Sequence, residues 1–480
     1  MIQVRGTDLR VLPMRTRLPF KYGIATLTDL PHLFVRVEAL IDGQPQWGVA
    51  ADGLPPKWFT KDPTTTFAED LVDMVAVIQA ACQLATAATA TPTPFAFWRT
   101  LYQVQQQWAR AKGYPPLLWG FGVSLVERAL IDAFCRARRL SFAQAVQRNE
   151  LGIQLDAIHP ELHGLTPADL LPAYPQTRLH VRHTVGLADP LTDADSVEGE
   201  HLHDGLPQSL AACIRAYGLT HFKLKVAGDP ESDLVRLQAI AAVLEAEATP
   251  AYQFTLDGNE QYKTVERFQH FWAMFNRALP HLQQHLLFVE QPFHRDVALT
   301  PDVQAALLHW TERPPMIIDE SDGALDSLRI ALQGGYAGTS HKNCKGVFKG
   351  IANACLLAYH RRRSGDERLQ PYLLSGEDLA NVGPVALLQD LAVLSTLGVS
   401  HAERNGHHYF AGLSMFPSAL QAEMVDKHGD LYQHQGELVT LAICHGVIDL
   451  ASVVAAPFGY NIDLLAEQFT PLAETLPLRT

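Results

Sequence analysis

The chain has 480 residues, more than one ordinary domain needs, which suggests two domains, one of them large. With 51 acidic against 38 basic residues, a formal net charge of −13 and no basic run, it does not suit nucleic acid as a partner. The six cysteines form no Cys-x-x-Cys pair, as expected for reduced thiols in a cytoplasmic protein. No apolar segment with a small-residue cleavage site follows the first residues, so we expect no signal peptide.

The first 150 residues predict a separate α+β domain, because strands come first and helices follow in a run. Residues 2–13 and 32–41 have strand-like patterns, and the second ends at an Asp-Gly turn. They bracket a loop at residues 19–23, and a second, proline-stiffened loop follows at residues 52–61.

These two loops carry candidate substrate contacts. Trp58 and Phe59 suit a lid over a binding site, although ordinary packing against the second domain explains them equally well. Lys21, Lys57 and Lys61 favour an anionic substrate, unless they are merely solvated.

Two helices are predicted in the remainder of this domain. Residues 74–98 lack charge, but their glutamines, threonines and prolines argue against a membrane span, which needs about 20 predominantly apolar residues. We therefore predict a helix over residues 68–85 and a linker after it, and no membrane partner. Ser124 and Glu127 match a capping box, which predicts a helix from Ser124 to about Arg138.

From residue 222 onward, polar clusters end short runs rich in apolar or β-branched residues, the pattern of buried parallel strands. The clusters recur at about 30 residues or a little less, the length of one unit of a (β/α)8 barrel. All strands of such a barrel run the same way, so these side chains would meet at one rim. The clusters are Lys223-Leu224-Lys225, Asp257-Gly258-Asn259, Glu290-Gln291-Pro292, Asp319-Glu320-Ser321 and Ser340-His341-Lys342.

Three carboxylates, Asp257, Glu290 and Asp319, would converge on that rim beside the lysines. Like charges this close repel one another and would force protonation unless a cation is present. Oxygen-only ligands suit a hard ion such as Mg²⁺. The clusters therefore predict a metal site flanked by ammonium groups; the alternative is solvated lysines on loops and carboxylates that cap helices.

The other barrel strands are less distinct in the sequence. We predict the first strand at Leu179–Val185, a long insertion at residues 187–210, the seventh strand at residues 371–374 and the eighth at about residues 398–402. Asp229 and Pro230 predict a helix start after the second strand.

The five clusters, in this order and at this spacing, resemble the enolase superfamily, closest in pattern to its mandelate racemase and muconate lactonizing enzyme branch. The resemblance implies a modified (β/α)8 (TIM-type) barrel at residues 156–414 with an N-terminal α+β capping domain at residues 1–155. A C-terminal segment at residues 415–480 would complete the capping domain. We also expect a homo-oligomer.

By this resemblance, Asp257, Glu290 and Asp319 bind Mg²⁺, for which Mn²⁺ is a possible substitute. The substrate is a small carboxylate whose α-proton is removed to form an enediolate. A bound cation stabilises the charge that develops there, and a lysine or histidine base beside Mg²⁺ is an established arrangement for this superfamily.

The resemblance also assigns roles to the lysines. Strand alternation sends Lys223 and Lys225 to the same side; Lys225 would transfer the proton and Lys223 would support it and the substrate carboxylate. Lys342 would approach the opposite face of the substrate, and Lys345 is the alternative candidate for this role. Asn259 and Glu320 are further candidate substrate contacts, and Glu320 is also a neighbour or stand-in for Asp319.

Departures from the branch pattern include the segments around the seventh and eighth strands. The segment after the seventh strand, residues 374–378, lacks the histidine of an Asp–His dyad. Residues 401–408, around the eighth strand, are unusually polar, and Glu403 and Asn405 are candidates for the substrate wall unless this is a solvated loop.

Lysines on both faces permit racemisation, epimerisation or cycloisomerisation. They equally permit a lyase reaction, such as dehydration of a hydroxy or sugar acid through the same enediolate. A third possibility is a metal-binding barrel without turnover.

Overall fold

The structure is a computed structural model that describes residues 1–22, 25–195, 202–363, 372–464 and 466–475. Four predicted segments extend beyond this part of the chain: the first loop at residue 23, the insertion at residues 196–201, the seventh strand at residue 371 and the tail at residues 465 and 476–480.

The strands fall into an N-terminal set, a barrel set and a C-terminal set. They are β1 (Ile2–Tyr22), β2 (Ala25–Ile41), β3 (Gln44–Gly53), β4 (Arg178–Val185), β5 (His221–Lys225), β6 (Gln253–Asp257), β7 (Leu286–Glu290), β8 (Met316–Ile318), β9 (Gly338–His341), β10 (Leu373–Gly376), β11 (His401–Glu403), β12 (Tyr432–Gln435), β13 (Leu438–Leu441), β14 (Val447–Asp449) and β15 (Thr470–Pro471).

The α-helices are α1 (Pro56–Thr60), α2 (Phe67–Ala87), α3 (Pro94–Lys112), α4 (Pro116–Arg138), α5 (Phe142–Gln147), α6 (Pro167–Leu170), α7 (Leu210–Tyr217), α8 (Pro230–Glu247), α9 (Val265–Ala278), α10 (Arg295–Ala298), α11 (Pro301–His309), α12 (Ser327–Gln333), α13 (Val347–Arg363), α14 (Ala386–Leu397), α15 (Gly406–Tyr409), α16 (Ser418–Lys427), α17 (Ala451–Ala455) and α18 (Leu472–Thr475).

The N-terminal domain is an antiparallel sheet of order β15-β1-β2-β3 covered by helices. Gly48 on β3 lets α4 approach the sheet closely, since a Cβ there would lie 2.1 Å from the Ala129 carbonyl oxygen. Helix α2 begins with a capping box in which the Glu69 carboxylate accepts a 2.7 Å hydrogen bond from the Thr66 amide. Although α2 is long and apolar enough to cross a membrane, 56% of its most apolar window is buried inside the protein, as in a core helix.

One helix start was predicted wrongly. Helix α4 begins at Pro116, eight residues before Ser124, and Ser124 lies in its interior, where its hydroxyl donates to the Phe121 carbonyl at 2.9 Å. The capping-box prediction was wrong because Glu127 does not cap a helix start. Its carboxylate accepts a 2.6 Å hydrogen bond from the Phe348 amide and so joins the capping domain to barrel helix α13.

Strands β4 to β11 form the predicted closed parallel barrel. Neighbours pair in chain order, and β11 pairs with β4 to complete the ring. The barrel and the N-terminal α+β domain confirm the predicted fold class.

The C-terminal segment touches both domains. Strand β14 extends the barrel sheet by antiparallel pairing with β4, and β15 pairs with β1 at the edge of the capping sheet.

Candidate active site

Strand register places the predicted cluster residues side by side. Lys225 pairs with Asp257 across β5 and β6, and Asp257 pairs with Glu290 across β6 and β7. Each residue ends its strand, so the three side chains emerge at the same level of the carboxyl-terminal rim, where the active sites of such barrels lie.

Lys223 lies at the centre of a buried carboxylate cluster. Its Nζ is 3.0 Å from Asp257 Oδ2, 2.8 Å from Glu290 Oε2, 2.7 Å from Glu377 Oε2 and 3.1 Å from Glu403 Oε2. Lys223 is 1% exposed, so these contacts are shielded from water and cannot be treated as surface ion pairs.

Lys225 stands nearer the rim than Lys223 on the same side of β5. Its Nζ is 2.9 Å from Asp257 Oδ2 and donates a 2.7 Å hydrogen bond to Asn259 Oδ1. The Asn259 amide donates to Asp257 Oδ1 at 2.8 Å, and Asn259 has a positive φ of 39°. This turn holds Asp257 and Asn259 around the Lys225 ammonium.

Lys342 and Lys345 both contact Asp319 but face different ways. Lys342 Nζ is 2.6 Å from Asp319 Oδ2 and lies 4.3 Å from the centre of the Trp58 ring. Lys345 Nζ donates to Asp319 Oδ1 at 3.1 Å and to the Ser340 carbonyl at 2.8 Å. Lys342 lines the central cavity, whereas Lys345 lines a different cavity beside Glu127.

Gln291, which follows Glu290, has a structural role. Its side-chain oxygen accepts from the amides of Asp319 at 2.7 Å and Ser321 at 3.2 Å. Its amide nitrogen donates to Ser321 Oγ and to the Phe293 carbonyl, both at 2.7 Å. Gln291 therefore fixes the backbone that carries Asp319.

The surrounding charges lower the pKa of two rim carboxylates and raise the pKa of the third. Burial raises the pKa of Asp257, but Lys223 and Lys225 lower it more, so it lies below the usual range. Burial raises the pKa of Asp319 too, and Lys342 and Lys345 outweigh it. For Glu290, burial and the neighbouring Asp257 raise the pKa well above its usual value.

The donor set fits a hard divalent cation. Asp257, Glu290 and Asp319 are each 1% exposed and offer only oxygen ligands. Glu290 Oε2 accepts no hydrogen bond from the described residues, although it lies 2.8 Å from Lys223 Nζ. Glu320 Oε2 is likewise buried without a hydrogen bond within the part of the chain that the structure describes, and burial and Asp319 raise the pKa of Glu320 to about 7. Such oxygens are available to a cation.

A cavity of about 40 Å³ lies between the rim and the capping domain. Its lining combines the rim residues with apolar side chains from the N-terminal domain. The lining residues are Phe20, Leu27, Pro55, Trp58, Lys223, Lys225, Asp257, Asn259, Lys342, Asp378, Leu379, Glu403 and Asn405.

The second predicted loop contains helix α1 and is held against the barrel by partly buried Arg295 and Lys61 and by buried Glu260. Arg295 donates to the carbonyl oxygens of Trp58 at 2.9 Å and Phe59 at 2.7 Å. Glu260 accepts from Arg295 at 2.7 Å and lies 2.9 Å from Lys61 Nζ. These contacts hold Trp58 over Lys342.

The lysines predicted to attract an anionic substrate lie elsewhere. Lys21 is exposed on β1 and is not among the residues that line the cavity. Lys57 pairs with Asp70 at 2.7 Å, and Lys61 pairs with Glu260. The lysines that do line the cavity all come from the barrel.

Glu403 and Asn405 line the cavity, as predicted for the substrate wall. Both carboxylate oxygens of Glu403 already contact other side chains. Its Oε1 accepts from Thr184 Oγ1 at 2.7 Å and from Asn405 Nδ2 at 2.9 Å, and its Oε2 lies 3.1 Å from Lys223. Residues 401–408 are half-buried or buried, not a solvated loop.

Three buried charged residues at or near the rim, Glu377, Arg182 and Asp378, were not among the predicted site residues. Glu377 follows β10 and contacts Lys223, and Arg182 on β4 pairs with Glu377 inside the barrel. Asp378 lines the cavity. The signal for Glu377 and Asp378 was present, since they form an acidic pair directly after a short apolar strand, as Asp319 and Glu320 do.

Solved structures resemble this chain along nearly its whole length. A mandelate racemase/muconate lactonizing protein from Herpetosiphon aurantiacus aligns with a TM-score of 0.58 and 17% identity over 96% of this chain and 99% of its own. The chain has the fold of the mandelate racemase/muconate lactonizing enzyme branch of the enolase superfamily.

Two further structures with this fold have more specific descriptions. A dipeptide epimerase from Enterococcus faecalis V583 has a TM-score of 0.56 and 14% identity, covering 96% of this chain and 100% of its own. An N-succinyl Arg/Lys racemase from Bacillus cereus ATCC 14579 has a TM-score of 0.55 and 14% identity, covering 95% and 98%. No protein-family model and no curated protein matches the sequence.

Trp58→Ala should raise KM at least about tenfold while Tm falls by only a few degrees, because the ring covers Lys342 at the cavity. Phe59→Ala is the matched control, since Phe59 is fully buried against Phe121 and should lose mainly stability. Steady-state kinetics and thermal unfolding of both variants check this. A Trp58 variant that is less stable but kinetically normal would show that Trp58 only packs.

Proposed function

We propose that this protein is a Mg²⁺-dependent enzyme of the enolase superfamily that abstracts the proton α to a substrate carboxylate through an enediolate, and that it acts as a racemase or epimerase. The observation that carries this proposal is the placement of Lys225 and Lys342. Lys225 ends β5 and Lys342 follows β9, four strands apart in an eight-stranded ring, so they face each other across the cavity.

Asp257, Glu290 and Asp319 would hold the Mg²⁺, with Mn²⁺ as a possible substitute. When bound, the cation supplies charge stabilisation for the enediolate, an effect worth several kcal/mol. These carboxylates pair with the lysines, so a bound cation that shared them would weaken those ion pairs and free the lysines to act on the substrate.

Two lysines on opposite faces suit inversion at the α-carbon. The neutral lysine on one face removes the proton, and the ammonium on the other face returns a proton to the planar enediolate. Lys223, between the rim carboxylates, would keep a fixed positive charge beside the substrate carboxylate. The apolar side chains of Phe20 and Trp58 would exclude water from the cavity they line.

A lyase or cycloisomerase is the second candidate, and the environment of Lys342 favours it. Burial lowers the pKa of Lys342, but Asp319 at 2.6 Å raises it more, so it lies above the usual value. The Trp58 ring further stabilises the charged form. A permanently charged Lys342 would stabilise the enediolate without transferring a proton.

The proposal is tested by incubating the protein with Mg²⁺ and a library of chiral carboxylic acids in heavy water. Mass spectrometry should show deuterium at the α-carbon of at least one acid, together with formation of its other stereoisomer. A product of altered composition would instead identify the lyase. If no acid exchanges in the presence of Mg²⁺ or Mn²⁺, the protein is not an enzyme of this class.

A further inference from the structure

A second cluster of metal-ligating side chains lies outside the rim. One nitrogen each of His183 and His408 and the sulfur of Cys213 lie within 4.8 Å of one another. They come from three elements, β4, α7 and α15, and are at most 3% exposed. We propose that His183, Cys213 and His408 form a buried Zn²⁺ site separate from the proposed Mg²⁺ site.

Hydrogen bonds set the tautomer of His183. The Arg404 carbonyl can only accept, so His407 Nδ1 carries a proton and donates it there. In the neutral ring, the other nitrogen of His407, Nε2, carries a lone pair and accepts. His183 Nδ1, 3.1 Å away, must then donate to His407 Nε2. Neutral His183 is left with a free lone pair on Nε2, as in many metal-binding histidines.

His408 and Cys213 lack the partners that buried polar groups normally have. His408 Nδ1 lies 3.7 Å from Cys213 Sγ, and His408 Nε2 is buried with no hydrogen-bond partner among the described residues. A thiol is a weak partner for an imidazole, and a buried unpaired nitrogen is costly. A metal ion bound between Cys213 Sγ and His408 Nδ1 would replace this weak thiol–imidazole contact with two metal–ligand bonds.

The donor types select the metal. Two imidazoles and a thiol suit Zn²⁺ and not the hard ion proposed for the rim. With bonds of about 2.0 Å to nitrogen and 2.3 Å to sulfur, ligand atoms of a tetrahedral site are roughly 3.5 Å apart. The Cys213–His408 pair nearly has this spacing at 3.7 Å, and the other pairs, which lie within 4.8 Å, would contract by up to about 1.3 Å. The thiol would release its proton to solvent on binding, and a fourth position is left for water.

A metal ion bound here would stabilise the position of one wall of the proposed active site. Thr184, next to His183, donates to Glu403 at 2.7 Å, and Asn405, three residues before His408, lines the central cavity. Arg17 of the capping domain donates to the His408 carbonyl at 2.9 Å. Zinc ligation would therefore fix β4, α7 and α15 relative to one another beside that wall.

The experiment is a metal titration of the full chain after chelation, with excess Mg²⁺ present to fill the rim site. Wild type should retain one Zn²⁺ per chain against a chromophoric competitor, and Co²⁺ should give a sulfur-to-cobalt charge-transfer band. Cys213→Ser and His408→Gln should lose both signals. His407→Gln, which leaves all three ligands in place but removes the ring that accepts from His183, should keep the stoichiometry but weaken affinity about 10–100-fold.

Matched controls use the exposed residues Cys444 and His434. Cys444→Ser and His434→Gln should bind Zn²⁺ as wild type does. If Cys213→Ser does not fold, Cys213→Ala replaces it as a small apolar side chain. Absence of the sulfur-to-cobalt band in wild type, or an unchanged band in the Cys213 variant, would overturn the proposal. Neither result depends on the proposed enzymatic activity.

Discussion

Glu290→Gln should reduce kcat at least about a thousandfold while the protein stays folded. The substitution removes one charged oxygen ligand from the proposed Mg²⁺ site, and several kcal/mol of charge stabilisation corresponds to that factor. Folding should survive because burial and Asp257 already raise the pKa of Glu290, so the neutral amide resembles its protonated form. Three further carboxylates remain beside Lys223.

Calorimetric titration with Mg²⁺, kinetics on the substrate found in the exchange screen, and thermal unfolding check this prediction. Asp257→Asn should likewise reduce kcat and Mg²⁺ affinity, and the exposed Glu312→Gln is a charge-matched control that should leave all three measurements unchanged. Undiminished turnover of wild type after exhaustive chelation would disprove the metal requirement.

The barrel was predictable from sequence because each strand of a parallel barrel is buried on both faces and carries its polar residues at one end. That pattern placed Asp257, Glu290 and Asp319 on neighbouring strands, and the observed register aligns the first two. The predicted first strand, Leu179–Val185, agrees with β4 to within one residue, whereas the predicted seventh and eighth strands begin two and three residues before β10 and β11.

The partners of each side chain were not predictable, because they depend on distant parts of the chain. A strand pattern cannot show that Glu403 is held by Thr184 and Asn405. It also cannot show that Lys61 pairs with Glu260, 199 residues further along the sequence. The prediction that Glu127 belongs to a helix cap was wrong for the same reason. Its spacing from Ser124 matches a capping box, but its carboxylate accepts a hydrogen bond from the Phe348 amide in the other domain.

The choice between Lys342 and Lys345 required side-chain directions. Lys345 comes three positions after Lys342, at the end of a short 3-10 helix that follows β9, so strand alternation cannot show which of the two faces the cavity. The structure places Lys342 on the cavity and Lys345 behind Asp319.

The two rim lysines should divide the exchange chemistry between them. If both transfer protons, wild type in heavy water should incorporate deuterium into either enantiomer of an epimerised substrate. Lys225→Ala should abolish exchange from one enantiomer and Lys342→Ala from the other, and each should lose net conversion. Each should lower the rate at least about 10²–10⁴-fold, the usual contribution of a positioned acid or base.

Lys345→Ala is the matched control because it removes an ammonium from Asp319 without removing one from the cavity. It should slow exchange of both enantiomers alike, through looser positioning of Asp319. If Lys342 only stabilises charge, Lys225→Ala removes all exchange, and Lys342→Ala lowers it without choosing an enantiomer. Near-normal activity of Lys225→Ala would exclude Lys225 as the base. An enantiomer-selective defect in Lys345→Ala would transfer the second role to that residue, and the cavity geometry would then have to change on substrate binding.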